Sequence, residues 1–223
     1  MKLTTKQLLI LSCSFSLVMM VFRILYTLEL RFVFLGWNLF LALLPFLFIR
    51  RAGNLNNTFQ RFILIVIAIL FLPNAPYMIT DLFHLRGHQG SSIWFDTLLI
   101  LSFATNGLWL FYLSLSEIRS CLSSSVDNLQ IMIFEFTLIF LCSFGMYLGR
   151  YLRFNSWDVI FNPFVLFNEI TDRLIHPLLH TRTWGMTACY FGFLAIGYLV
   201  FIGASSLKSE KGKSGLQLKI VQK

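Results

Sequence analysis

Six stretches of about 20 mostly apolar residues divide the chain, and nothing else in the sequence limits its fold so strongly. They cover residues 8–28, 32–49, 62–80, 93–116, 129–149 and 184–206. A helix needs roughly 20 apolar residues to cross the ~30 Å hydrocarbon core of a bilayer. Within hydrocarbon every backbone N–H and C=O must be paired inside the chain, so runs of this length are read as helices. The expected fold is an all-α membrane protein with about six transmembrane helices. Composition agrees: 13% of the residues are charged, against about 25% in soluble domains. The 25 phenylalanines suit a lipid-facing surface. Lys2 and Lys6 precede the first run as they would in a signal peptide. No A-x-A-like cleavage site follows, so the run is read as a span.

The net charge is +8. A basic balance can mark a nucleic-acid binder, but here the charges sit at the ends of apolar runs. That pattern orients a membrane protein, and no nucleic-acid partner is expected. With the N-terminus in the cytoplasm, the inner segments hold Lys2, Lys6, Arg50, Arg51, Arg61, Arg119, Lys208, Lys211, Lys213, Lys219 and Lys223. The outer segments hold Arg31, Arg86, Arg150, Arg153, Arg173 and Arg182, so the positive-inside rule puts both termini in the cytoplasm. Residues 1–206 read as one membrane domain and 207–223 as a polar, flexible basic tail able to touch anionic lipid. Cys13, Cys121, Cys142 and Cys189 form no CxxC and read as small buried apolar residues.

The third run changes character at LPNAPYMITDLFHL, residues 72–85. Residues 62–72 alone cover only about 16 Å as a helix, so the crossing must include the prolines. Pro73 removes the amide partner of the Ile69 carbonyl, and Pro76 that of Leu72. The span is therefore expected to break at Pro73/Pro76, with Asn74 capping a restarted helix. In that helix Tyr77, Asp81, His84 and His88 would share one face. An acid with an imidazole one turn on can orient a base or hold a metal, and Asp81, His84 and His88 are the metal candidates. The competing interpretation is an ordinary polar helix end facing headgroups.

Span five carries the opposite charge. Arg150 and Arg153 follow Gly145 and Gly149, a small-xxx-small face that admits a close neighbour. An arginine near the hydrocarbon edge needs a partner, and Asp81, Asp96 and Asp158 are the candidates for Arg150. The arginines can instead grip a phosphate or carboxylate, or snorkel. Asn38 and Asn74 fall at similar depth and are expected to bond each other. Asn106 reads as packing glue, and Glu135 as an inner-end residue able to snorkel. After span five, Asn162-Pro163 signals a helix start. Phe164, Phe167, Ile170, Leu174 and Leu178 follow at helical spacing, which predicts an amphipathic helix in the outer interface. Trp157 and Trp184 suit interfacial anchors.

WNLFLALLP (37–45), FLPNAPYMITDLFHL (71–85) and LGRYLRFNSWD (148–158) together resemble a family of bacterial integral membrane proteins known only as a domain of unknown function. The resemblance extends from span two to beyond span five; the first span and the tail carry none of its motifs. It implies a polytopic fold in the bacterial inner membrane and no assigned activity or cofactor.

The residues expected to line a polar site at the outer face are Asn74, Tyr77, Asp81, His84, Arg150, Arg153, Asn155 and Asp158. Three uses compete. The first is small-solute or ion binding and transport, with Asp81 and Arg150 holding the ligand. The second is a membrane enzyme acting on a lipid or envelope substrate, with His84 as base or metal ligand, Asp81 orienting it and the arginines holding phosphate. In the third, the polar residues fix packing in a structural or assembly factor. The chain has no Gly-rich phosphate loop, no HExxH and no GxSxG, which weakens the enzyme reading.

Overall fold

The computed structural model describes residues 4–85, 93–123, 126–154 and 156–221, the stretch beyond residue 205 by its backbone alone. Helices α1 (Thr5–Thr27), α2 (Val33–Gly53), α5 (Ile93–Leu122) and α6 (Asn128–Tyr151) are four of the spans. The third span joins α3 (Thr58–Phe71), α4 (Asn74–Tyr77) and a 3₁₀ helix (Met78–Leu85). The last is the first part of α9 (Thr181–Val221), between Thr181 and Ser205. The short α7 (Asp158–Phe161) and α8 (Pro163–Ile175) lie between α6 and α9. Six helices among the described residues are long and apolar enough to span a membrane, as the apolar runs require.

Several spans outrun their apolar segments because polar caps, not hydropathy, end a helix. Thr4 and Gln7 form a reciprocal capping box on α1, and the Asn57 side chain accepts from the Phe59 and Gln60 amides at the start of α3. Beyond residue 206 the backbone of α9 continues as helix to Val221. The tail therefore extends the last helix rather than forming the flexible segment its polarity suggested. Polarity alone does not stop a helix, and Lys, Glu, Gln and Leu there offset the weak helix formers Gly212 and Gly215.

Helix α5 sits at the centre, against α1, α2, α4, the 3₁₀ helix and α6, while α9 leans on α6. Leu99, Ile100, Phe103, Leu110, Phe111 and Leu115 of α5 are fully enclosed. The outward faces of α1 and α9 expose Leu11, Val18, Phe22, Ile196 and Val200, as lipid-facing helices do. Of the cysteines, Cys142 is buried, Cys13 and Cys121 are half-buried, and Cys189 is exposed on α9. The expectation of burial fails for Cys189 because an apolar run in lipid need not be covered by protein.

The proline break is repaired within itself. The Ile69 carbonyl accepts from the Leu72 amide and the Leu72 carbonyl from the Ala75 amide, both at 3.2 Å. These tighter i→i+3 bonds replace the ones the prolines remove. Asn74 does not cap a restarted helix. It is the first residue of α4, and its side-chain amide donates back to the Phe71 carbonyl at 3.0 Å. Three glycines let neighbours close on this segment. A Cβ on Gly107 of α5 would lie 2.3 Å from the Ala75 carbonyl oxygen. On Gly145 it would lie 3.2 Å from Pro73 Cβ, and on Gly149 3.0 Å from Tyr77 Cε2. The small face of span five thus receives the broken span.

Buried polar groups tie the bundle at three levels. Arg23 of α1 grips Asp96 of α5 through Nε at 2.5 Å and a second nitrogen at 3.1 Å. Asp96 is therefore committed to Arg23 and does not serve Arg150. Asn106 accepts from Ser12 Oγ at 2.6 Å and donates to Ser16 Oγ at 2.8 Å, so it does hold α1 to α5. Glu135 does not snorkel. It is fully buried, receives both forks of Arg119, and accepts from the Tyr198 hydroxyl at 2.6 Å.

Removing one member of a buried ion pair strands the other charge, which costs about 3–5 kcal/mol. Arg23→Met should therefore lower the thermal midpoint of the detergent-solubilised protein sharply. The double variant Arg23→Met with Asp96→Leu should recover part of the loss, because the buried Arg23–Asp96 pair is then removed whole.

Candidate functional site

A cavity of about 400 Å³ lies among α2, the broken third span, the end of α6 and the α7–α8 segment. Asn38, Asn74, Tyr77, Asp81, His84, Arg150 and Ser156 supply its polar lining. The backbone sets several of them in place. The 3₁₀ helix stacks residues three apart, so Asp81 and His84 point the same way. Gly149 lets Tyr77 sit against α6, which brings Arg150 to the same wall.

Asp81 is 1% exposed. Its Oδ2 accepts from Asn38 Nδ2 at 2.9 Å. Its Oδ1 lies 4.0 Å from Arg150 Nη1 and 3.8 Å from His84 Nδ1, both beyond hydrogen-bond reach. Among the described residues, the Arg150 guanidinium makes no hydrogen bond; it lies 5.3 Å from the centre of the Phe83 ring. His84 Nδ1 is 3.2 Å from the backbone carbonyl of Asp81. A carbonyl only accepts, so that nitrogen carries a proton and, in the neutral ring, Nε2 keeps its lone pair. The imidazole also tilts against Phe34, with ring centres 4.9 Å apart.

Of the residues singled out from sequence, Asn74, Tyr77, Asp81, His84 and Arg150 line this cavity. Arg153 does not. It is exposed and closes α6 with a left-handed φ of 61°, where the Phe154 amide turns back to the Leu148 carbonyl. Asp158 also lies outside the lining; it starts α7 and accepts from Asn162 Nδ2 at 3.0 Å. His88 and Asn155 lie outside the described residues. Asn38 and Asn74 do not bond each other. Asn38 serves Asp81, and Asn74 donates to Ser156 Oγ at 3.0 Å. Ser156 was overlooked although it stands inside the NSWD string, since a lone serine carries no periodic signal.

Among the described residues, no three His, Cys, Asp or Glu side chains converge on one point. Asp81 and His84 form a pair, and the His84 nitrogen nearer the carboxylate already donates to a carbonyl. The predicted helix after Asn162-Pro163 is α8, with Pro163 at its first turn. Its Phe164, Phe167 and Leu174 are exposed, while Leu166 lines the cavity and Arg173 is buried. Trp157 also lines the cavity, and Trp184 donates its Nε1 hydrogen to the Arg173 carbonyl at 3.2 Å.

Six helices among the described residues are long and apolar enough to cross a membrane, which defines a multi-pass membrane protein. The chain belongs to the family described as "Protein of unknown function (DUF1361)", which matches residues 37–197, more than two thirds of its length. No curated protein and no solved structure matches it. The matched region includes every described residue of the cavity lining except Phe34.

A left-handed conformation costs a residue with a Cβ roughly 1 kcal/mol relative to glycine. Arg153→Gly should therefore hold or raise the thermal midpoint, with a gain of up to about 1 kcal/mol. A fall of several degrees would mean that the Arg153 side chain has a stabilising partner that outweighs the strain.

Proposed function

We propose that this membrane protein binds a small solute at its outer face, with Arg150 holding an oxyanion of the ligand and Asp81 accepting a hydrogen bond from it. The observation that carries this reading is the open Asp81–Arg150 pair, 4.0 Å apart in a cavity of about 400 Å³. A pair built only for stability closes, as Arg23–Asp96 does at 2.5 Å. Guanidinium matches carboxylate and phosphate through paired N–H donors. Cavities of this size suit small ligands.

The Lys/Arg distribution supports an orientation in the bacterial inner membrane with both termini cytoplasmic. The cavity then faces outward. In a background lacking Cys189, an Arg153→Cys variant should react with a membrane-impermeant maleimide on intact cells. Asn54→Cys should react only after the cells are opened. The reverse pattern would invert the topology and put the cavity on the cytoplasmic side.

Binding is tested by thermal unfolding with inorganic phosphate or phosphoethanolamine as the probe. A ligand at 100 times its Kd stabilises by about 2.7 kcal/mol, so the midpoint of the wild type should rise by several degrees. Arg150→Gln should abolish the rise. An equal rise in wild type and variant would defeat the proposal.

A second reading, enzymatic, draws on the Nε2 lone pair of His84, since this ring lines the same cavity. It separates from pure binding by His84→Gln. If that variant keeps probe binding and loses turnover of a bound phosphodiester, the site is catalytic.

A further inference from the structure

Resting on the outer-face binding reading above, we infer that the ligand is a lipid of the bilayer itself, one whose headgroup carries both a phosphate and a primary ammonium. Two features of the cavity lead there. The first is its charge. Asp81 Oδ1 and Arg150 Nη1 stand 4.0 Å apart, and among the described residues neither makes a hydrogen bond. A simple anion would satisfy the guanidinium but press against a buried carboxylate, and a simple cation would do the converse. A dipolar headgroup satisfies both, with its phosphate on Arg150 and its ammonium on Asp81. The other Asp81 oxygen is fixed by Asn38 at 2.9 Å, so the open oxygen keeps a set direction.

The second feature is the wall. Trp37 and Val159 line the cavity and are also 55% and 44% exposed on the protein's surface. Part of the cavity wall is therefore apolar and reaches the protein's surface, which in a membrane bundle borders lipid. A soluble zwitterion has no use for such an opening; a lipid needs one, because its chains must stay in the hydrocarbon while the headgroup enters. The depth agrees. Helix α8 exposes Phe164 at 83% and Phe167 at 67%, the mark of a helix lying in the membrane interface. Its Leu166 turns the other way and lines the cavity, so the cavity lies at headgroup level beneath α8. Trp37 and Trp157 at the rim are the aromatic type enriched at that level.

The ammonium must donate to Asp81. Replacing its hydrogens by methyl groups removes the donors and leaves the charge. A hydrogen bond to a charged group is worth about 1.5–3 kcal/mol, or roughly tenfold or more in affinity.

The test titrates the detergent-solubilised full chain with lipids of identical acyl chains, read by native mass spectrometry. The probes are phosphatidylethanolamine, its mono- and dimethyl forms, phosphatidylcholine and phosphatidylglycerol. Phosphatidylethanolamine should bind roughly tenfold more tightly than phosphatidylcholine, with affinity falling along the methylation series. Asp81→Asn should bring the two lipids within about twofold of each other, while Arg150→Gln should weaken all of them. The methylation series on the wild type carries the test if Asp81→Asn does not fold. Equal binding across the series would overturn the inference. So would displacement of bound lipid by soluble phosphoethanolamine at the lipid's own concentration, which would assign the site to a free solute and leave the Arg150 reading intact. Lipid binding that is unchanged in Arg150→Gln, with no thermal response to either soluble probe, would overturn both.

Discussion

Two amide hydrogens are missing from the third span, at Pro73 and Pro76, and much of the molecule is arranged to live with that loss. In water the exposed carbonyls would simply be hydrated. In hydrocarbon they need partners within the protein. The chain tightens into i→i+3 bonds from Ile69 to Ala75 and recruits the Asn74 side chain for the Phe71 carbonyl. Tightening narrows the segment, and Gly107, Gly145 and Gly149 then let α5 and α6 approach within a distance no Cβ would permit at Gly107. The 3₁₀ helix that follows turns Asp81 inward, where α6 brings Arg150. Thus the break, the glycines and the cavity are one physical arrangement. Substituting Gly149 would disturb the site as much as the packing, because Tyr77 is both the group it accommodates and part of the cavity wall.

The fold was readable because hydrophobic length is a strong, local signal. Apolar runs near 20 residues marked all six spans, and Asn162-Pro163 marked α8. What escaped was pairing between spans. Glu135 and Asn38 each stand alone in an apolar run, and sequence does not say which face of the helix they occupy. Glu135 turned inward to Arg119 and Tyr198, residues 16 and 63 positions away. Asn38 turned to Asp81, 43 positions away, rather than to Asn74.

The polar cluster was legible for a similar reason and to a similar limit. Tyr77, Asp81 and His84 were found by helical spacing, and for Asp81 and His84 that spacing survives in a 3₁₀ helix because three-residue steps eclipse there. Arg150 was found by its depth. Arg153 was included on charge and proximity alone, yet a difference of three residues at the end of α6 crosses from helix into a left-handed turn and sends it outward. Asp158 starts a short helix of its own. Charge near a motif therefore predicts a site only while the backbone stays regular.

Arg23–Asp96, Arg119–Glu135 and Arg150–Asp81, ion pairs that link spans among the described residues, are not equivalent, and their difference bears on what the cavity is for. Arg23–Asp96 and Arg119–Glu135 are two-pronged, and each carboxylate is fully enclosed. Burial of that kind must be offset by close contact, since the desolvation of both charges is large. Asp81 is as deeply buried, but its cation stops 4.0 Å away and among the described residues makes no hydrogen bond, across a cavity with room for other atoms. Packing alone gives no reason to hold this pair apart: a shift of about 1 Å would bring it within hydrogen-bond reach. Asn38 on one side and the Phe83 ring on the other hold the two groups in their separate positions. A gap kept open between opposite charges in a low-dielectric wall is stable when something dipolar, water or ligand, occupies it.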